Sequence, residues 1–339
     1  MRIINMPIES IPLRYSTDWH RWFIREFNKH KDISYVTINP EPLIDKICKG
    51  SFLDIAGTNY YKAMQISRIS EMFFRGEIED GDIFFLHDIW HPGLEAIAYM
   101  RDGLGIDVKI CGCIFAGTYD PYDFLTKKGM SYWGKSLEES WFRIVDKIFC
   151  ATEFHKRLII EHRDIDPKKI IVTGHPLYNE FPKEMPKKEN IVVFPHRLDS
   201  EKNPQMFDVL KEANETIHSS WKFIKTKEVC KTKKEYYDLL RKAKVSISFA
   251  DQETLGFAMI ESIYADCIPL VPDKLSYSEL YDSAFKFNSF MECSKKLDLI
   301  INRNIDEYMI KELINNNKKE IQEKCESAIP KMIEEMRKI

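Results

Sequence analysis

The sequence predicts two doubly wound α/β domains of Rossmann-like type, facing one another across a cleft. Three observations carry this expectation. Short β-branched apolar runs alternate with helical patterns through nearly all of the 339 residues, the mark of parallel sheets with crossover helices. The alternation breaks once, in a charged stretch holding Pro176, Pro182 and Pro186, and then restarts. The length exceeds one ordinary domain, and 44% hydrophobic residues can fill two cores.

The elements follow in order. Residues 2–6 read as a first strand, 17–30 as a helix and 33–38 as a second strand. In the next helix, 59–74, Ile66, Ile69, Met72 and Phe73 share a face. A strand at 82–87 precedes a helix at 92–101 with Pro92 in its first turn. Strands at 108–116, 147–151 and 170–173 then alternate with helices at 136–145 and 153–162. Beyond the break come strands at 190–195, 221–225, 245–249 and 268–271, with helices at 204–213, 233–242 and 256–265. The residues from 306 on read as a long, highly charged helical tail. The expected division is an N-terminal domain 1–175, a linker 176–189, a C-terminal domain 190–305 and the tail 306–339. Ligands of such sheets sit outside the carboxyl ends of the strands, so functional residues are sought there.

Composition excludes several classes. Fifty Lys and Arg against 53 Asp and Glu give a net charge of −3, which rules out a uniformly basic chain but leaves room for a local basic patch. The opening MRIINMPIES has no apolar stretch of signal-peptide length, and no apolar run is long enough to span a bilayer. The eight cysteines are scattered, several inside strand-like runs, and read as free thiols of a cytoplasmic protein. Cys111 and Cys113 form the only close pair, with no partner pair at finger spacing. Neither G-x-G-x-x-G after a strand nor a phosphate-binding G-x-x-x-x-G-K-[ST] occurs, which argues against nicotinamide and P-loop chemistry. Asp164-Ile165-Asp166 follows a helical pattern and precedes Pro167, so it reads as a turn rather than a cation site. No catalytic metal is expected.

The second half carries the more specific pattern. Strand 245–249 runs into Glu253-Thr254-Leu255-Gly256-Phe257, and Glu261 follows just over two helical turns after Glu253. Amide groups at a helix start near Leu255, Gly256 and Phe257 suit a phosphate, and Gly256 permits close backbone approach. The two glutamates, one before the helix and one inside it, can accept hydrogen bonds from hydroxyls of a single ligand. Upstream, strand 190–195 ends in His196-Arg197-Leu198-Asp199-Ser200-Glu201-Lys202-Asn203. Arg197 and Lys202 there can neutralise a diphosphate. Each residue also has a plainer reading. Glu253 can cap a helix, Glu261 can be a solvated helix residue, and Arg197 and Lys202 can pair with Asp199 and Glu201.

These two motifs in register resemble the donor-sugar site of retaining GT-B glycosyltransferases of glycosyltransferase family 4. Members of that family commonly have glycines where this chain has His196 and Asn203. The segment Ala265-Asp266-Cys267-Ile268-Pro269 also resembles a family segment, with Cys267 in place of a glycine. The resemblance implies a GT-B fold with a long C-terminal helix and a nucleotide-diphosphate sugar, UDP-linked by preference, as co-substrate. It implies that Arg197 and Lys202 hold the diphosphate, that Thr254, Leu255, Gly256 and Phe257 contribute backbone contacts, and that Glu261 takes the ribose and Glu253 the sugar. It implies transfer with retention of configuration and without a metal.

Polar and aromatic residues concentrate at the strand ends of the first half. His87, Asp88 and Asp120 are the candidates for positioning an acceptor hydroxyl, and His87 also for supporting the departing charge. Aromatics beside Arg14, Arg21, Lys127 and Lys128 suit stacked bases and phosphates. Between 222 and 244 nine cations stand against three carboxylates, a pattern that most often marks a solvated face. The segments NMPIES, TNYYKA, HPGLE, AGTYDP and VTGHP resemble, more loosely, bacteriophage glycosyltransferases, some of which modify hydroxymethylated pyrimidines. This makes double-stranded DNA with such bases the leading acceptor expectation, with the host cytoplasm as the location if the chain is phage-encoded. The rivals are a glycan, lipid or protein acceptor, a sugar-nucleotide epimerase, and a non-enzymatic nucleic-acid-binding protein.

Overall fold

The computed structural model describes residues 1–10, 15–43, 54–215, 217–303 and 306–339. Arg14, named above, and Cys48, one of the eight cysteines, lie outside them. The chain divides into two compact units. The first comprises Met1–Pro176 and Ser327–Ile339, the second Leu177–Glu326.

The first unit runs β1 (Arg2–Met6), α1 (Tyr15–Phe27), β2 (Ser34–Thr37), α2 (Ile55–Phe74), β3 (Ile83–Leu86), α3 (Leu94–Leu104), β4 (Lys109–Cys113), α4 (Phe124–Lys127), α5 (Ser131–Ile144), β5 (Lys147–Cys150), α6 (Glu153–His162) and β6 (Ile170–Val172). Its strands form one parallel sheet in the order β2-β1-β3-β4-β5-β6. Such a sheet has helices on both faces, so its central strands are largely apolar. β3 reads IFFL and is buried at every position. Ile4, Phe84, Ile110 and Ile148 form the spine of the core, with Ile69, Met72, Ile97, Trp141 and Ile159 packed on it from the helices. Side-chain caps set several helix starts: Asp54 accepts from the Gly57 amide at α2, and Thr152 from the His155 amide at α6.

The second unit runs β7 (Glu189–Phe194), α7 (Pro204–Glu215), β8 (Lys222–Lys225), α8 (Thr226–Val229), α9 (Lys233–Lys242), β9 (Ala243–Ile247), α10 (Phe257–Tyr264), β10 (Ile268–Pro272), α11 (Tyr277–Leu280), β11 (Lys286–Phe287), α12 (Phe290–Ile301) and α13 (Glu307–Glu326). Its sheet is also parallel, in the order β11-β10-β9-β7-β8. α14 (Ala328–Met336) then belongs to the first unit.

Each sheet has a point where its winding reverses. In the first unit it lies between β1 and β3, and in the second between β7 and β9. Side chains following those strands flank the crevice where doubly wound sheets bind ligands.

Three local features add detail. The helix expected from Pro92 starts at Leu94, because Gly93 takes a left-handed φ of 108° as its N-cap. A Cβ on Gly93 would stand 2.6 Å from Ile66 Cγ1, so the turn is pressed against α2. The helical tail consists of the long helix α13 and the shorter α14, with a break at Ser327 between them. Pro330 explains the break, since it fits the first turn of α14 but would remove a hydrogen bond from the interior of a continuous helix. Finally, the Pro-rich segment lies on the second unit. The Tyr264 hydroxyl donates to the Leu177 carbonyl at 3.2 Å, the Phe181 ring packs on Tyr237 at 4.8 Å, and the Lys188 ammonium donates to the Ala265 carbonyl. Among the described residues, no helix is long and apolar enough to cross a membrane.

Candidate functional site

At the reversal in the second sheet, two loops meet. The loop after β7 supplies Arg197, Glu201, Lys202 and Asn203, and the loop after β9 supplies Asp251, Gln252, Glu253 and Gly256. Backbone and side chains lock them together. The Asp251 amide donates to the Glu201 carbonyl at 2.8 Å. Asn203 Nδ2 donates to the Phe249 carbonyl at 2.9 Å and to Asp251 Oδ2 at 2.6 Å, while Lys274 Nζ donates to Asp251 Oδ1 at 2.5 Å. Asn203 has φ 53°, a left-handed conformation that asparagine tolerates better than most side-chain-bearing residues. Asp251 thus joins three segments at once, and neither spacing nor motif marked it beforehand.

Lys202 and Glu253 come together across this junction. Lys202 Nζ lies 2.9 Å from Glu253 Oε1 and also donates to the Gln252 carbonyl. The Lys202 side chain is 4% exposed and that of Glu253 16%, so the pair is well shielded and Lys202 holds Glu253 in place. Arg197 is more open, with 32% of its side chain exposed, and pairs with Asp199 and Glu201 at 3.2 Å each. This is the local pairing that the plainer reading of the sequence anticipated. A guanidinium has five donors, so it can keep these partners and still present N–H groups to an anion. His196 is buried against the Phe194 ring, and burial first, then the charges of Lys202 and Arg197, push its pKa well down. It is a neutral imidazole beside two cations.

Gly256 has φ 91° and forms the N-cap of α10, whose first residue is Phe257. A Cβ on Gly256 would stand 2.8 Å from Tyr277 Cε1. Thr254 and Leu255 are buried just before it. The start of α10 therefore lies at the carboxyl end of β9, where a helix N-terminus favours anions. One turn further, Glu261 accepts from two phenols: Tyr236 at Oε2 and Tyr237 at Oε1, each at 2.9 Å. Both tyrosines sit on α9.

At the reversal in the first sheet a second polar cluster forms. Glu9, fully buried after β1, accepts from the Thr58 hydroxyl at 2.5 Å. Gln65 donates to the Pro7 and Ile38 carbonyls at 2.9 Å each, and its carbonyl oxygen lies 3.0 Å from His91 Nε2. Lys62 is 3.5 Å from Asp88 and donates to the Trp90 carbonyl. Burial raises the Asp88 pKa, with Glu9 adding to the rise and Lys62 opposing it. His87 is fully buried among Trp19, Phe23 and Phe85, with Nε2 2.8 Å from Asn5 Oδ1. It therefore presents no surface to a ligand in this conformation. Asp120 is 6% exposed and accepts from the Tyr122 amide at 2.9 Å, a turn-stabilising contact.

The loop carrying Asp120 is fixed by a buried ion pair not evident in the sequence. Glu138 and Arg163 meet at 2.8 Å, with side chains 1% and 5% exposed. Glu138 also accepts from the Thr118 amide and hydroxyl and from Trp90 Nε1. Beyond it Tyr122, Tyr132 and Trp133 are exposed, beside exposed Lys127, Lys128 and Lys135. The Asp164–Asp166 stretch is a turn: Asp166 accepts from the Lys168 amide, and Asp164 lies 3.7 Å from Arg143. Of the basic run at 222–244, Lys225 pairs with Asp208, Arg241 with Asp238, and Lys244 with Glu307.

A sucrose-phosphate synthase from Thermosynechococcus elongatus matches with a TM-score of 0.69 at 8% identity, covering 100% of this chain and 98% of that one. The chain has the GT-B fold. A UDP-forming alpha,alpha-trehalose-phosphate synthase from Burkholderia vietnamiensis shares this fold with a TM-score of 0.66 at 10% identity, over 100% of both chains. So does a mutant of S. aureus TarM in complex with UDP, alpha-GlcNAc-glycerol and Fondaparinux, with a TM-score of 0.57 at 14% identity. That match covers 81% of this chain and 57% of the other. By sequence, the chain is 27% identical over 129 residues to a tRNA-queuosine alpha-mannosyltransferase of Drosophila melanogaster. The shared stretch is 31% of this GT-B chain and spans about a third, 34%, of that relative. No family model matches the chain.

Proposed function

We propose that the chain is a glycosyltransferase that moves a sugar from a nucleotide diphosphate to a hydroxyl on a modified nucleoside of a nucleic acid. The observation that carries this reading is the Lys202–Glu253 pair, which joins the loops after β7 and β9 where the winding of the second sheet reverses, with Arg197 on the first loop, the α10 N-terminus after the second and Glu261 one turn along α10. A nucleotide-diphosphate sugar has a matching sequence of groups: diphosphate for Arg197 and the start of α10, ribose for Glu261, and sugar hydroxyls for Glu253. Support comes from the fold and from the relative's name, which is that of a glycosyltransferase.

As negative charge builds on the leaving diphosphate, Arg197 and the α10 amide end would stabilise it, with Lys202 fixing the carboxylate that holds the sugar. Cationic side chains in that place would make a divalent ion dispensable. The acceptor hydroxyl would attack the anomeric carbon from the face the diphosphate leaves and pass its proton to the departing phosphate oxygen, so the product would keep the donor's anomeric configuration. On the acceptor side, the exposed Tyr122, Tyr132 and Trp133 among lysines suit bases and phosphates. A hydroxymethylated pyrimidine in duplex DNA is the acceptor the sequence favours. A modified base in tRNA is a second reading, favoured by the Drosophila relative.

The deciding experiment incubates the chain with UDP- and GDP-sugars and with hydroxymethyl-pyrimidine DNA or tRNA, in chelator. Sugar transfer to either nucleic acid, with an NMR-assigned retained anomer, is the expected result. Donor turnover without transfer to any nucleic acid would reject the acceptor reading. Unchanged nucleotide binding by Arg197→Ala and Glu261→Ala would reject the donor site.

A further inference from the structure

We infer that Tyr236 and Tyr237 are positioning residues that fix the Glu261 carboxylate so that it reads the two hydroxyls of a nucleotide ribose. This rests on the assignment of Glu261 to the ribose and adds to it residues on a different helix. Each phenol donates to a different carboxylate oxygen, at 2.9 Å. A carboxylate oxygen can accept more than one hydrogen bond, so a carboxylate bonded to two phenols can also accept from the hydroxyls of a vicinal diol. Glu261 is only half-buried, and alone on a short helix such a side chain would sample several rotamers.

The clamp is itself held. The Tyr237 ring packs on Phe181 at 4.8 Å and carries Lys233 Nζ 5.3 Å from its centroid. Tyr236 and Tyr237 pack on one another at 5.5 Å. A complete capping box, Thr232 with Glu235, sets where α9 begins and hence which way its side chains point. Burial, followed by the nearby Glu261 charge, pushes the Tyr236 phenol well up in pKa, so it stays a donor at any working pH. A clamp of this kind favours ribonucleotides over deoxyribose analogues, because only the former supply both hydroxyls of the diol.

The test is calorimetric titration of the full chain with UDP and GDP and with their 2′,3′-dideoxy counterparts. The parent chain should prefer the ribose form of its nucleotide at least tenfold. Glu261→Ala should bind ribose and dideoxy forms alike. The double variant Tyr236→Phe/Tyr237→Phe keeps the rings and loses only the hydroxyls. It should lose threefold or more of the ribose preference while its affinity for the dideoxy form stays put. If it lowers both affinities equally, or keeps the whole preference, the clamp serves only to hold α9 on α10 and the inference falls. Should the double variant not fold, each single Tyr→Phe variant is read the same way. If Glu261→Ala retains the preference, or the parent binds neither diphosphate, the ribose assignment fails and takes the clamp with it.

Discussion

Gly256 concentrates the backbone demand of the donor loop at one residue. Its φ of 91° is one that side-chain-bearing residues rarely adopt, and a Cβ would press on the Tyr277 ring at 2.8 Å. That ring cannot swing aside, because Tyr277 is fully buried and its hydroxyl is 3.0 Å from Ser248 Oγ. Gly256→Ala should therefore lose about 1–3 kcal/mol in urea unfolding and weaken nucleotide binding as the α10 start shifts. An unchanged midpoint would mean the turn relaxes freely. Asp123 offers a second test at this scale. It caps α4 by accepting from the Leu125 amide, and burial, with Asp120 adding, pushes its pKa up to about 7. An unfolded Asp titrates near 4, so the folded state binds the proton more tightly. The associated stability is full below about pH 4 and is lost as pH rises to about 7, at no more than ~1.4 kcal/mol per pH unit. Asp123→Asn keeps the cap and removes the titration, so the stability difference between parent and variant should change with pH in that window. Parallel stability curves would reject this assignment.

Helix α5 acts as a strut through one buried pair. Glu138 on α5 and Arg163, just past α6, meet in the interior, and Glu138 also anchors Thr118 and Trp90 on the loops after β4 and β3. Arg163→Met strands a carboxylate that has no route to solvent, which should destabilise the first unit by about 3–5 kcal/mol. Glu138→Gln/Arg163→Met, which leaves no charge behind, should recover much of that loss. Urea curves for the two variants decide it, and equal losses would show that the charge is not what matters. This pair also shows where a sequence stops being informative about elements. The apolar runs of β3 or β5 announce strands because their physics is local. Glu138 and Arg163 lie in patterns where a charged residue normally faces water, and only the fold reveals that these two do not. The donor motif was legible because its residues cluster on two short loops at strand ends. Its support was not: Tyr236 and Tyr237 sit in a helix that reads merely as amphipathic and lysine-rich, and Asp251 looks like any loop aspartate. The break at Ser327 is a different case: Pro330 is a local mark of it, but the charge pattern of the tail reads as continuous helix.

At the scale of the whole molecule the chain crosses from the first unit to the second after Pro176 and returns after Glu326. The returning segment is no appendage. Ile329, Met332, Ile333 and Met336 of α14 are each at most 1% exposed. Cys113 Sγ lies 3.8 Å from Met332 Sδ, Lys147 pairs with Glu335, and Arg337 reaches Asp32 at 2.8 Å, so α14 meets α1, β4 and β5 or their flanks. Four such apolar side chains contribute about 6–12 kcal/mol of burial, which is comparable to the ~5–15 kcal/mol that holds a domain folded. The first unit's sequence is thus incomplete without residues that follow the whole of Leu177–Glu326. Removing 327–339 should unfold the first unit while sparing the second, whose own sheet and helices lie wholly within 177–326. Limited proteolysis of the truncated chain should then leave a resistant fragment starting near Leu177. Calorimetry should show the second unit's transition alone, where the full chain shows the melting of both. Met332→Asp tests the same contact without shortening the chain and should lower the first unit's transition selectively. A truncated chain in which residues 1–176 resist protease as well as they do in the full chain would show that α14 is dispensable to that fold.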